Sequence, residues 1–260
     1  MSAPASPASS EISDYGDSAH PTFARGQNPT SFPAYLYPSG AFALDGVASR
    51  AGGLGFVCAL GLNAAWTFRS SYPQLPLFVA VLAFFHFMEF WITARYNTRR
   101  AKTDAFILTT NGAAYNIAHV SAMLEAVVEY YFCPELKRHG WVTATGVIMV
   151  VSGQLARTYA MKHAGSNFSH YVATRREARH RLVTTGIYAY LRHPSYFGYY
   201  WWAIGTQLML GNPVCTVAFA GFLWMFFSTR IKHEERYLSA FFAEYKQYKA
   251  RSWVGIPFIE

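Results

Sequence analysis

The residues best suited to chemistry gather in three stretches: His180-Arg-Leu-Val-Thr-Thr-Gly-Ile-Tyr188, Arg192-His-Pro-Ser-Tyr-Phe-Gly198 and Arg230-Ile-Lys-His-Glu-Glu235. His180, His193 and His233 are zinc-donor types. No two of them have the close same-face spacing of H-E-x-x-H, and no cysteine pair assists, so metal is disfavoured. A nucleophile at Ser195 lacks the G-x-S-x-G elbow, and Pro194 beside it reads as a residue that shapes a turn. Gly52-Gly-Leu-Gly55 has no strand before it, which argues against a phosphate loop and for close helix packing. What remains is a polar rim of Arg, His, Tyr and Glu that could hold a charged or zwitterionic cofactor from water while apolar neighbours admit a substrate from lipid. Arg230 and Glu234, at i and i+4, share a helix face and could equally form a plain ion pair.

The elements that must position this rim are membrane helices. The 260 residues carry 22 Lys and Arg against 14 Asp and Glu, a net charge of +8, yet only 14% are charged, against about 25% in soluble domains. With 18% aromatic and 52% hydrophobic residues, the chain fits neither an ordinary cytosolic enzyme nor disorder throughout. Residues 1–40, rich in Ser, Pro, Ala and Gly and without signal-peptide features, read as a disordered cytosolic tail. Apolar blocks follow over about 51–68, 74–94, 105–132, 141–161, 196–210 and 214–229, to be matched against the roughly 20 residues a bilayer demands. Gly211-Asn212-Pro213 marks a turn between the last two, which read as a helical hairpin. Arg95, Arg99, Arg100, Lys102, Lys162, Arg175, Arg176, Arg179, Arg181 and the C-terminal basic residues then fall on the tail's side, and only Arg69, Lys137 and Arg138 fall opposite, as the positive-inside rule requires. The expected fold is all-α and polytopic, with about six transmembrane helices.

Residues 231–250 place Leu238, Phe241, Phe242, Tyr245 and Tyr248 at helical spacing. They predict an amphipathic helix lying in the interface or packed on the protein's own cytosolic face. In the second span His86 and Glu89 share a face and should pair with each other or with third-span groups such as Asn111 and Tyr115. Cys58, Cys133 and Cys215 lie far apart and read as packing residues.

At these positions the sequence resembles the isoprenylcysteine carboxyl methyltransferase family, integral membrane enzymes that methylate the C-terminal prenylcysteine of processed CaaX proteins. The motifs that carry the resemblance are Ala164-Gly-Ser-Asn-Phe-Ser-His170, His180-x-Leu-Val-Thr-x-Gly-x-Tyr188, Arg192-His-Pro-Ser-Tyr-x-Gly198, Trp202-Ala-Ile-Gly-Thr-Gln207, Asn212-Pro213, Arg230-x-x-x-Glu234-Glu235 and Gly255-Ile-Pro-Phe258, with Phe85-His86-x-x-Glu89-Phe90 upstream. They span nearly everything after residue 40. The resemblance implies a methyltransferase domain over 41–260 that binds S-adenosylmethionine within about 157–258. The implied cofactor residues are His180, Arg181, Leu182, Val183, Tyr188, His193, Pro194, Ser195, Tyr196 and Glu234, with Arg157 and Arg230 as catalytic and substrate-binding groups. It also implies residence in the endoplasmic reticulum membrane with the site facing the cytosol, farnesyl- or geranylgeranyl-cysteine proteins as partners, lipid around the helices, and no nucleic acid. Ala173 departs from the polar residue found there in some relatives. Phospholipid N-methyltransferases and sterol reductases share the RHPxYxG element and stand as alternatives, and a non-catalytic membrane receptor or transporter is a further one.

Overall fold

The computed structural model describes residues 40–260. The tail expected over residues 1–40 lies, apart from Gly40, outside them. Seven α-helices follow: α1 (Leu44–Thr67), α2 (Gln74–Tyr96), α3 (Ala113–Phe132), α4 (Gly140–Ala164), α5 (Pro194–Leu210), α6 (Pro213–Phe241) and α7 (Tyr245–Arg251). Among the described residues the only β pairing is a single bridge between Leu191 and Trp253. By length and apolarity α1, α2 and α6 could each cross a membrane. α3 and α4 have the length but carry more polar residues, and α5 has 17 residues.

Three element boundaries differ from the sequence reading, the first being that of α1, which begins at Leu44 rather than near 51. α3 begins at Ala113 rather than near 105, because Ile107 (φ 46°) and Gly112 (φ 79°) adopt left-handed backbone that a helix excludes. Asn111 donates its side-chain amide to the Ile107 carbonyl at 2.7 Å and is thereby spent on that turn. The expected amphipathic helix over 231–250 is not a separate element. Its first half continues α6 without a break, and after Phe242 the chain re-enters helix as α7. Its apolar side packs inward, with Phe242, Tyr245 and Tyr248 buried against Leu182, Leu238 and Phe241, so the segment covers the protein's own face.

α4 and α5 are pressed together more closely than any other pair. A methyl group on Gly153 would stand 2.6 Å from the Gly198 carbonyl oxygen, and one on Gly205 would stand 2.8 Å from the Val150 nitrogen. Only hydrogen at these positions lets the two backbones touch. That contact fixes the N-terminus of α5, where Pro194 occupies the first turn, beside Arg157 of α4. The Gly52-Gly-Leu-Gly55 run makes no such contact among the described residues, since a Cβ there meets nothing of them within 4 Å. Gly61 has that role in α1 instead, against Pro76 and Ala80 of α2.

The far end of the bundle is tied by buried charge. Lys137 donates to Glu129 (2.5 Å), the Gly211 carbonyl (2.8 Å) and Asn212 (2.9 Å). Glu125 accepts the Val214 and Cys215 amides at 2.8 and 2.7 Å, closing the N-terminus of α6. The acidic residues of α3 are therefore accounted for by packing.

Candidate active site

The segment between α4 and α5 forms one wall of a cavity, and hydrogen bonds from distant elements hold it. Asn97 donates to the Phe168 carbonyl (2.9 Å), and the Arg181 amide donates to Asn167 Oδ1 (2.8 Å). Tyr248 of α7 donates its hydroxyl to the Tyr188 carbonyl at 2.7 Å. The Arg192 amide donates to the Trp253 carbonyl (2.8 Å), and the Trp253 amide donates to the Tyr190 carbonyl (2.9 Å), so the C-terminus clasps the entry to α5. The cavity, open on one side, is lined by all ten residues expected to hold a cofactor, from His180 to Glu234. Ala164, Asn167, Phe168, Ser169, Arg192, Leu238, Tyr245 and Tyr248 complete it.

Arg157 and Arg230 stand behind this wall and reach it through lining residues. Arg157 Nη1 donates to Ser195 Oγ at 2.9 Å. Its Nε and Nη2 form a fork onto Glu89, at 2.5 and 2.7 Å, and His170 Nε2 lies 2.8 Å from the same carboxylate. Glu89 is 1% exposed. It therefore turns to Arg157 and His170 and forms no hydrogen bond with His86. His86 Nδ1 lies 2.9 Å from the Phe106 carbonyl, and its Nε2 lies 2.9 Å from the Tyr115 hydroxyl, so of the two third-span partners expected, Tyr115 serves.

Arg230 and Glu234 are joined through a third group. Arg230 Nε donates to the Tyr196 hydroxyl (2.9 Å), and that hydroxyl donates to Glu234 (2.5 Å), while Arg230 Nη2 donates to the His170 carbonyl (2.6 Å). His170 thus touches both arginine systems, by its ring on one side and its carbonyl on the other. A second carboxylate, Glu235, gathers Arg192 (2.6 Å), His193 (3.2 Å) and Lys249 (2.6 Å), and Arg192 also donates to the Ser252 carbonyl (2.7 Å).

Burial sets the protonation of the wall. It lowers the pKa of His180 from its ordinary value, favouring neutral imidazole. It raises the hydroxyls of Tyr188 and Tyr245 above the ordinary tyrosine range and pushes Tyr248 up to about 12. The lining thus combines neutral tyrosines with one carboxylate, Glu234, and two guanidinium groups, Arg181 and Arg192. Aromatic faces and a carboxylate suit a positively charged group and the guanidinium groups suit a carboxylate, so the donor set fits a zwitterion. Among the described residues no group of three metal-ligating side chains converges.

Sequence reasoning grouped the cavity residues but missed Glu89 as the partner of Arg157, and His170 as the link between the arginines. An intramembrane carboxylate signals that a partner exists. The pairing itself spans 68 residues of sequence, and nothing in local spacing encodes it.

Comparison with known proteins agrees with this architecture. Residues 146–240 match the sequence model of the isoprenylcysteine carboxyl methyltransferase family. The protein-S-isoprenylcysteine O-methyltransferase of Saccharomyces cerevisiae is 50% identical over 204 residues, covering 74% of this chain and 85% of the relative. That of Homo sapiens is 42% identical over 215 residues, covering 82% and 75%. A solved structure of a eukaryotic intramembrane Ras methyltransferase, isoprenylcysteine carboxyl methyltransferase, superposes with a TM-score of 0.81 at 38% identity, covering 86% of this chain and 80% of that one. With these relatives matched over most of their own length, the chain belongs to the isoprenylcysteine carboxyl methyltransferase family.

Proposed function

We propose that this protein transfers the methyl group of S-adenosylmethionine to the C-terminal carboxylate of a farnesyl- or geranylgeranyl-cysteine in processed CaaX proteins, forming a methyl ester. It does so in the endoplasmic reticulum membrane, with six crossings, α5 and α6 as a hairpin, and the cavity facing the cytosol. The observation that carries the reading is the cavity at one end of an apolar bundle, with two arginines behind its wall. The basic loops beside it support the cytosolic orientation.

A C-terminal carboxylate, with a pKa of about 3.5, is already ionised near neutral pH, so no general base is required. Rate comes from alignment, which can supply roughly 7–11 kcal/mol in favourable cases. The residues from His180 to Glu234 would hold the cofactor, which supplies an electrophilic methyl group on a sulfonium centre. Arg230 commits Nε and Nη2 to Tyr196 and His170, and its Nη1 is left to meet the substrate carboxylate. Arg157, forked onto Glu89, contributes positive potential and orients the site through Ser195. An arginine fully free to grip the ground-state carboxylate would slow transfer, and Glu89 tempers that grip.

The test is to mix membranes containing the protein with labelled S-adenosylmethionine and a small farnesylated cysteine. Base-labile methyl ester is expected. Its absence, or label appearing in phospholipid instead, overturns the reading.

A further inference from the structure

On the lipid-facing side of the bundle, α1, α2, α4 and α5 border an open apolar groove that shares no lining residue with the cavity and whose walls include Cys58, Val81, Phe84, Val151 and Leu155. Its outer residues Phe84, Val151 and Leu155 are exposed. The same helix faces continue from the groove to the cavity-bearing end of the bundle. Arg95 lies eleven residues after Phe84, three turns of α2 and about 16 Å along it, and Lys162 lies two turns after Leu155 on α4, about 10 Å along it.

These two cations converge. The Arg95 guanidinium is 5.7 Å from the Tyr96 ring, Lys162 Nζ is 5.8 Å from that same ring, and Lys162 Nζ is 6.0 Å from the exposed Tyr159. Neither takes part in an ion pair among the described residues, where Arg100, Lys137, Arg138, Arg157, Arg192 and Lys249 all do. Two positive charges and tyrosine faces thus stand in the last turns of α2 and α4, on the helix faces that lead back to the apolar groove.

We propose that this face binds one anionic glycerophospholipid from the adjoining leaflet, the cytosolic one in the orientation given above, with its phosphate at Arg95 and Lys162 and an acyl chain laid along α2 and α4 into the groove. The dimensions agree, since half of a hydrocarbon core of roughly 30 Å separates headgroup from midplane, close to the 10–16 Å between cations and groove. Charge selects the headgroup. The groove distinguishes this lipid from free phosphate, which has no chain to place.

Native mass spectrometry of the full chain, released from nanodiscs of phosphatidylcholine mixed with phosphatidylserine, tests this without methyl donor or acceptor, and so independently of the methylation assay. One retained phosphatidylserine per protein is expected, undisturbed by added inorganic phosphate. The double variant Arg95→Gln/Lys162→Gln is expected to weaken retention roughly thirtyfold, at about 1 kcal/mol per basic residue. Val151→Phe, which fills the groove and leaves both cations in place, is expected to weaken it as well and gives a second readout independent of the first. Equal retention of phosphatidylcholine, or retention unchanged in either variant, overturns the proposal.

Discussion

Two buried carboxylates, Glu89 and Glu235, gather almost the same partners and are put to different uses. Each holds one arginine and one histidine within hydrogen-bonding distance. The Glu235 group joins α6 to α7 through Lys249 and to the C-terminal segment through Arg192 and Ser252. It ties elements together, and its arginine donates to a backbone carbonyl. The Glu89 group joins α2 to α4 and to the loop before His180. Its arginine reaches Ser195 in the cavity wall, and its histidine holds Arg230. The donor sets are alike and both clusters border the cavity; what differs is that Arg157 donates to a cavity side chain, Ser195, whereas Arg192 donates to the backbone of the C-terminal segment. A charge cluster is therefore assigned by what its outermost group touches.

The largest expected effect separates the two by stability. Glu235→Ala leaves Arg192 and His193 buried at 7% and 5% exposure without their counter-charge. Removing one partner of such a pair is destabilising by about 3–5 kcal/mol. Thermal unfolding in detergent should show the loss directly, and an unfolding curve like that of the unaltered protein would mean the cluster is not structural.

Glu89→Gln should act differently. It keeps the shape and frees the Arg157 fork to grip the substrate carboxylate. Both kcat and KM for a farnesylated cysteine should fall, kcat by about ten- to a hundredfold, equivalent to roughly 1.4–2.8 kcal/mol of barrier. Glu89→Asp, which restores the charge, should recover part of kcat. If Glu89→Gln lowered only the unfolding temperature, the two clusters would be of one kind.

A smaller effect is expected where the Glu235 side meets the cavity. Tyr248→Phe deletes the hydrogen bond to Tyr188, a loss of about 1 kcal/mol. Its pH dependence has a defined sign. Burial raises this hydroxyl to about 12 from an ordinary value of about 10, so the folded chain favours the protonated form. The resulting stability is complete below pH of about 10 and is lost as pH rises through about 12. The phenylalanine variant should lack that alkaline increment in unfolding experiments.

These contrasts also mark what the sequence could and could not disclose. The cavity was legible because its residues lie in contiguous motifs, and a run such as His180 to Val183 reaches the wall together. The all-helical class followed from apolar block lengths. The partners of Glu89 were not legible, since Arg157 and His170 come from α4 and from the loop after it, 68 and 81 residues away, and such contacts leave no local trace. The start of α3 was missed because Ile107, a residue with no turn signature, takes the left-handed conformation. The extension of α6 was missed because charged Lys232, Glu234 and Glu235 looked like the end of a span, whereas they begin the helix's polar half, where the site is built.

The smallest effect tests the comparison at its edge. Lys249 Nζ lies 2.6 Å from Glu235, closer than His193 does, yet its side chain is 44% exposed where those of Arg192 and His193 are 4% and 3% exposed. Distance alone would rank it with the buried pair. Solvent screening and the entropy of fixing a long exposed side chain argue otherwise, and such pairs are worth at most about 1 kcal/mol. Lys249→Met keeps the aliphatic stem and removes only the charge, so it should shift unfolding by under about 0.5 kcal/mol and leave kcat unchanged. A loss approaching that of Glu235→Ala would mean that the carboxylate needs Lys249 as much as its buried partners, and that burial of the partner, rather than proximity, is the wrong criterion for ranking them.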